Sequence, residues 1–262
     1  MGTEASLAEA GEGKVSLFQI NLEGLNRVDQ AIKDLRENEP PEGYFLAFSG
    51  GKDSVVIHDL ALKAGVKFDP HYNVSGIDPP ELVKFIKANY PVMGYEKPLL
   101  TLEKGIMRNG MPRRQSRWCC RVFKEHSGSG RFIITGIRAA ESARRKHRHF
   151  IEISRTDKTK TFLHVILEWR NDDVWEYIKL NRLPYCSLYD EGFKRLGCVL
   201  CPMITPWLTQ IELERWPNIA NRWHRAAVEF FNTTTFPSIS RWSTAEEMWQ
   251  CWLSRGKAKE VK

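Results

Sequence analysis

Six consecutive residues constrain this chain more than any others: Ser49-Gly50-Gly51-Lys52-Asp53-Ser54. They follow a short apolar run, Gly43–Phe48, and lead into Ser54–Ala64, where Val55, Val56, Leu60 and Ala61 mark a helical face. A strand that turns through two glycines straight into a helix leaves backbone N–H groups without internal partners, and their partial positive charge attracts an anion. Ser49 and Ser54 add hydroxyl donors, and Lys52 adds a full charge. The spacing is neither that of a Walker loop nor Gly-x-Gly-x-x-Gly. Two glycines alone would mark an ordinary turn; the whole hexapeptide after a strand predicts phosphate binding.

The flanking pattern sets the fold class. Val15–Asn38 reads as a helix, with Leu22, Leu25, Val28, Ile32 and Leu35 in register, stopped by Pro40-Pro41. Val66–Val74, Arg131–Gly136 and Phe162–Leu167 read as strands. Pro79-Pro80-Glu81 opens a helix to Asn89, Asn171-Asp172-Asp173 caps one over Val174–Leu180, and Ile211–Phe231 is a Trp-rich helical stretch. Strands alternating with helices predict an α/β fold with a doubly wound, mostly parallel sheet and ligands beyond the strands' carboxyl ends. The predicted organisation is a leader and helix over 1–42, a nucleotide-binding core over 43–170, and a Cys- and Trp-rich helical part over 171–262. Met1–Lys14 reads as a frayed acidic leader, and no run of 18 apolar residues occurs, so the expected location is cytoplasmic and off the membrane.

Cysteine and charge placement add chemistry. Six cysteines in such a chain argue for metal or redox use rather than a disulfide framework. Cys119-Cys120 and Cys198-x-x-Cys201 are candidate metal ligands, with Gly197 and Pro202 as turn residues. A contiguous pair diverges in direction, which a multi-iron cluster tolerates better than one zinc ion, although zinc stays open as the alternative. Between Gly105 and Arg148 twelve Lys and Arg face two acids, a surplus greater than the net +7 of the whole chain. Such a field suits nucleotide phosphates or nucleic acid, or it is a solvated basic face. Within it Arg138 is the best candidate for a second phosphate or sulfate clamp, the alternative being a surface ion pair with Glu141. Arg144 is a further phosphate candidate at the start of a basic run that reads equally as a flap.

Ser-Gly-Gly-Lys-Asp-Ser resembles the pyrophosphatase loop of N-type ATP pyrophosphatases and their sulfonucleotide-handling relatives. That resemblance implies that Ser49, Gly50, Gly51, Lys52 and Ser54 contact phosphates, while Asp53 places Mg²⁺ or orients the loop. Together with the cysteines, it is similar to the phosphoadenosine phosphosulfate reductase family, in particular to adenylylsulfate reductases, whose two cysteine pairs hold a [4Fe–4S] cluster. Thr135-Gly136-Ile137-Arg138 with Glu141-Ser142, Leu183-Pro184-Tyr185, Tyr189-Asp190-Glu191-Gly192 and Trp169–Trp175 carry the likeness further.

The resemblance implies an adenine nucleotide alpha hydrolase-like fold and an adenine nucleotide substrate: adenylylsulfate, its 3′-phosphorylated form, or ATP. It also implies a thiol or electron-donor partner and allows a homo-oligomer. The first expectation for function is sulfonucleotide reduction to sulfite, with Lys52, Asp53 and Arg138 as catalytic groups. The second is an ATP pyrophosphatase or adenylyltransferase serving sulfur transfer, including transfer to nucleic acid. A third is a non-catalytic binding module with Trp207, Trp216 and Trp223 among its stacking faces. One departure stands out. The reductases carry a C-terminal Glu-Cys-Gly-Leu-His element, whereas here Met248-Trp249-Gln250-Cys251-Trp252-Leu253 leaves Cys251 as a substitute nucleophile or as a packed core thiol.

Overall fold

A computed structural model describes Leu17 and residues 19–255. Six strands form one sheet: β1 (Tyr44–Phe48), β2 (Phe68–Asn73), β3 (Gly94–Glu96), β4 (Phe132–Ile134), β5 (Ile151–Ile153) and β6 (Thr161–Leu163). Their order is β3-β2-β1-β4-β6-β5, parallel throughout except for the antiparallel β5 edge. The chain builds outward from β1 to β2 and β3, then returns to the other side of β1 with β4. The order reverses at β1, and the glycine loop falls at that strand's carboxyl end, the place where sheets of this kind bind their ligands. β1 is central, and every side chain in it but Ala47 is buried, which is why it reads as an unbroken apolar run.

Helix α2 (Lys52–Ala64) starts directly after the loop and buries Val55, Val56, Ile57, Leu60 and Ala61. Its last turn ends at Gly65 in the left-handed region. Helices α3 (Pro80–Asn89) and α6 (Asn171–Leu180) complete the flanks of the loop, and α6 packs on α2. Among the described residues no helix is long and apolar enough to cross a membrane.

Several boundaries differ from the sequence expectation. The first helix, α1, spans only Arg27–Glu37; the expected Met1–Lys14 leader and, within the expected helix, Val15, Ser16 and Phe18 lie outside the described residues. Asn26 ends the preceding turn by accepting from the Val28 and Asp29 N–H groups, and Leu22 is fully exposed rather than on the apolar face. Strand β6 stops at Leu163: Val165, Ile166 and Leu167 are buried in turns, closed in part by the Leu167 N–H on the His164 carbonyl. Burial alone therefore did not make them a strand. The Asn171–Asp173 cap is shifted as well. Helix α6 begins at Asn171, and Asp173 reaches back to the Arg170 N–H at 2.7 Å while pairing with Arg27.

The Trp-rich stretch is two helices, α7 (Pro206–Arg215) and α8 (Pro217–Thr233). Pro217 forces Trp216 out of the helical region, to φ −127° and ψ 63°. Helices α4 (Leu102–Asn109), α5 (Trp118–Phe123) and α9 (Ala245–Leu253), with strands β3 and β5, were not anticipated. The two strands have three residues each, too few for a periodic signal, and α5 has only six.

Candidate phosphate loop and cysteine turn

Gly50 makes the loop possible. Its φ is +73°, and a Cβ there would stand 2.7 Å from Leu82 and 2.8 Å from Ile86 of α3, so both the backbone and the space require glycine. Gly51 then takes the N-cap position of α2 without a side-chain cap, leaving its first-turn N–H groups to other acceptors. Ser49 is exposed, whereas Ser54 is buried and donates to the Gly51 carbonyl at 2.8 Å. The Ser49 and Ser54 hydroxyls lie 3.3 Å apart.

Lys52 is 5% exposed, and its ammonium nitrogen is 3.7 Å from Asp53 Oδ2 and 3.4 Å from the Lys194 carbonyl. It also lies over the Tyr189 ring, whose hydroxyl oxygen accepts the Lys52 N–H at 2.9 Å. That hydroxyl therefore occupies the place of an anion oxygen on a first-turn amide. In the sequence Tyr189 stands only within the Tyr189-Asp190-Glu191-Gly192 stretch, and nothing in its neighbours reveals that it folds back onto the loop.

Arg138 comes to the same place from the carboxyl side of β4. It is 3% exposed, and its Nε donates to Asp53 Oδ1 at 2.6 Å. Its close approach depends on Gly136, where a Cβ would sit 3.0 Å from Asp53 atoms. The expected alternative pairing with Glu141 is not made by the guanidinium. Glu141 accepts the Arg138 backbone N–H and pairs with Arg145 instead. Asp53, its side chain 20% exposed, thus has one oxygen toward buried Arg138 and the other toward buried Lys52, an array of alternating charge. Arg144 is exposed.

Beside it, Thr135 Oγ1 lies 2.6 Å from Nδ1 of His164, which is fully buried. Burial first, then Arg148 and Arg145, pushes that imidazole down to about 4, against the pull of Glu152. Elsewhere in the basic stretch Lys124, Arg131, Arg145 and Arg148 also pair with carboxylates, so the charge count overstates the exposed field.

The four candidate metal ligands occupy two segments. Cys119 and Cys120 lie on α5; Cys198 and Cys201 lie in a turn between a 3-10 segment at Ser187–Tyr189 and α7. All six cysteines are free. The Cys119 thiol is pushed up by its hydrogen bond to Cys120, by burial, and by the charges of Cys120, Cys198 and Cys201. Cys120 is drawn down by that same bond, with help from Arg117 and Lys124. Cys198 is pushed up to about 12 by burial, Asp78 and Cys201, against the pull of Lys124 and Ser75. The four thiols therefore share one electrostatic neighbourhood.

Among the described residues, however, no group of three or more His, Cys, Asp or Glu side chains is arranged to hold a metal ion. The donor chemistry fits thiolate ligation of an iron–sulfur group, while the side chains do not by themselves close on a single ion. Buried Asp78 organises the neighbourhood: it accepts from the Tyr72 hydroxyl at 2.5 Å and lies 3.4 Å from the Lys124 ammonium. Burial disfavours its charge, but Lys124, Ser75 and Tyr72 together hold its carboxyl below the usual range.

The turn itself is held from outside. Leu200, between the two cysteines, has φ +58° and a fully buried side chain. Its N–H donates to Glu212 of α7 at 2.5 Å, and the Val199 N–H donates to the Ile77 carbonyl at 2.8 Å. Trp223 Nε1 of α8 donates to the Val199 carbonyl at 3.2 Å, and Arg255 Nη2 to the Cys201 carbonyl at 3.1 Å. Glu212 and Arg255 were not singled out in the sequence: a lone Glu in a helix and an Arg after one carry no local signal. Cys251, on α9, is partly buried, and no hydrogen bond or ion pair among the described residues joins its side chain to the phosphate loop. Cys186 is 1% exposed and its thiol is pushed up by burial.

The phosphoadenosine phosphosulfate reductase domain matches residues 43–204. An uncharacterised protein of Methanocaldococcus jannaschii is 30% identical over 189 residues, 68% of this chain and 46% of that protein. An adenosine 5′-phosphosulfate reductase of Oceanobacillus iheyensis is 34% identical over 175 residues, covering 59% of this chain and 69% of that one. A probable FAD synthase of Caenorhabditis elegans is 26% identical over 200 residues, 72% of this chain and 35% of that protein. The chain spans about half the length of the first two curated relatives it matches.

Proposed function

Because this chain belongs to the phosphoadenosine phosphosulfate reductase family, we propose that it is an enzyme of sulfur metabolism that reduces a sulfonucleotide to sulfite. The Lys52–Asp53–Arg138 array at the carboxyl end of β1 is the observation that carries this reading. The phosphates of adenylylsulfate or its 3′-phosphorylated form sit against the α2 N-terminus, with Ser49 and Lys52 as donors and Ser54, bonded to the Gly51 carbonyl, bracing the turn. Asp53 holds Lys52 and Arg138 in place rather than a Mg²⁺ ion, since each of its oxygens already faces a cation. Arg138 and Lys52 then stabilise the charge that builds on the departing nucleotide phosphate.

The chemistry needs two electrons. A thiolate attacks the sulfate sulfur, the S–O bond to the nucleotide breaks, and the nucleotide leaves as its phosphate anion. A second thiol then releases sulfite as a disulfide forms. A dithiol donor protein supplies both thiols, because Cys186 is buried with a raised pKa and Cys251 makes no described contact with the loop. Cys119, Cys120, Cys198 and Cys201 would hold a [4Fe–4S] cluster, which when bound would supply a redox-capable, charged centre. Lys124 and Asp78 fix the charge around those thiols.

The relative named as a probable FAD synthase favours a second reading, in which the same loop binds ATP and the enzyme transfers an adenylyl group with release of pyrophosphate. Anaerobic assays with labelled adenylylsulfate, its 3′-phosphorylated form and ATP separate the two. Sulfite release supports the first reading, and pyrophosphate release with no sulfite overturns it in favour of the second.

A further inference from the structure

The family domain ends at residue 204; within it the Ile77 carbonyl accepts the Val199 N–H, and the other groups that hold the backbone of the Cys198–Cys201 turn from outside lie beyond it. Glu212 and Thr209 come from α7, Trp223 from α8, and Arg255 follows α9. We propose that these C-terminal helices form a clamp that fixes the backbone of the cysteine turn from which Cys198 and Cys201 are presented, with Glu212 as the positioning residue. The proposal rests on the reading that the cysteines hold an iron–sulfur group.

The argument starts from Leu200. A non-glycine residue at φ +58° is strained, so something must hold it there. Its buried side chain is one anchor. The other is Glu212, a carboxylate only 6% exposed whose hydrogen-bond partner is the Leu200 N–H. A carboxylate in a core is costly unless its partner is well placed, and packing alone would favour an apolar residue there. The remaining contacts work on the same turn. Trp223 takes the Val199 carbonyl, and Arg255 bridges the Cys201 carbonyl to Thr209, 2% exposed, at 3.0 Å. Three backbone groups of one four-residue turn thus end on three elements outside the family domain. Groups that orient ligands from behind commonly set how tightly a metal group is held.

The test uses the full chain, purified anaerobically and reconstituted with iron and sulfide. Release of iron to a ferrous chelator is timed for wild type, Glu212→Gln, Glu212→Ala and Glu212→Met. Glutamine keeps an oxygen for the Leu200 N–H, so its release rate should stay within about twofold of wild type, whereas alanine and methionine should release iron about tenfold faster. Methionine fills the volume, so equal losses for both separate the hydrogen bond from packing. A methionine variant that releases iron at the wild-type rate overturns the clamp.

A second arm needs no iron. Metal-free protein is alkylated and each cysteine is followed by mass spectrometry, with Cys251 as internal reference. Glu212→Met should expose Cys198 and Cys201 severalfold faster relative to Cys251; an unchanged ratio counts against the proposal. Wild type that takes up no iron overturns the cluster reading, and the alkylation ratio then decides the clamp by itself. If Glu212→Ala fails to fold, Arg255→Met, which removes the Cys201 and Thr209 contacts together with the hydrogen bond to the Trp252 carbonyl, is read in both arms with the same expected direction.

Discussion

The phosphate loop and the cysteine turn both contain a residue in the left-handed region, and they solve the problem differently. In the loop the residue is Gly50, so the conformation is free of Cβ strain and is written into the residue itself. In the turn it is Leu200, and the conformation is held by Glu212, Trp223 and Arg255, which lie 12, 23 and 55 positions further along the chain. The first is a local device and the second a tertiary one. A locally encoded site survives changes in distant packing, whereas a tertiary one fails when any of its remote supports is removed.

The largest effect should come from the loop's own charge. Lys52→Ala should lower turnover of the labelled sulfonucleotide about 10²- to 10³-fold, because a buried donor aimed at developing charge is lost. Initial rates that stay near wild type would remove the loop from the reaction and leave the cysteine neighbourhood to carry it.

Next in size is the local strain. Gly50→Ala should cost about 3 kcal/mol in urea unfolding, combining a left-handed alanine with a Cβ driven into Leu82 and Ile86. An unchanged midpoint would break the contrast with Leu200, since it would mean that α3 yields as readily as any loop.

The same contrast explains what the sequence reveals. The hexapeptide, the central apolar strand and the two cysteine pairs are contiguous patterns, and the strand–loop–helix could be placed from them to within a residue or two. A neighbouring motif marks Arg138 as a clamp candidate with a Glu141 ion pair as the alternative, but nothing in the sequence points to Asp53, whose contact depends on how Gly136 lets β4 approach α2. Tyr189, Glu212 and Arg255 were invisible because each acts on a backbone group far away in sequence. The Val15–Asn38 helix was overextended for the opposite reason, since its apolar spacing continued past Asn26 while the side-chain cap at Asn26 prevailed.

A smaller, pH-dependent effect sharpens the comparison on the loop side. His164 has its pKa depressed from 6.5 to about 4 by burial and the nearby arginines. The unfolded chain therefore binds the proton first as pH falls, so this contribution is present above 6.5 and is lost progressively toward 4. Between pH 6.5 and 4.5 the loss should be about 2 kcal/mol. His164→Asn, which does not titrate there, should lack that part of the slope in paired urea titrations. A parallel slope in the variant would show that the Thr135–His164 contact does not support the β4 end of the site.

The smallest effect expected is at Cys251, and it bears on which half of the molecule α9 serves. Trp252 of α9 donates to the Pro112 carbonyl at 2.7 Å, close before α5 in sequence, and Arg255 just beyond it holds the Cys201 carbonyl. Both contacts tie α9 to the segments that carry the cysteines rather than to the phosphate loop. Cys251→Ser should therefore change turnover by no more than about twofold, the size of an ordinary substitution away from a site. Rates measured with excess dithiol donor decide it. A loss of sulfite release with nucleotide binding intact would make Cys251 the attacking thiol, and α9 would then have to reach the loop during the reaction.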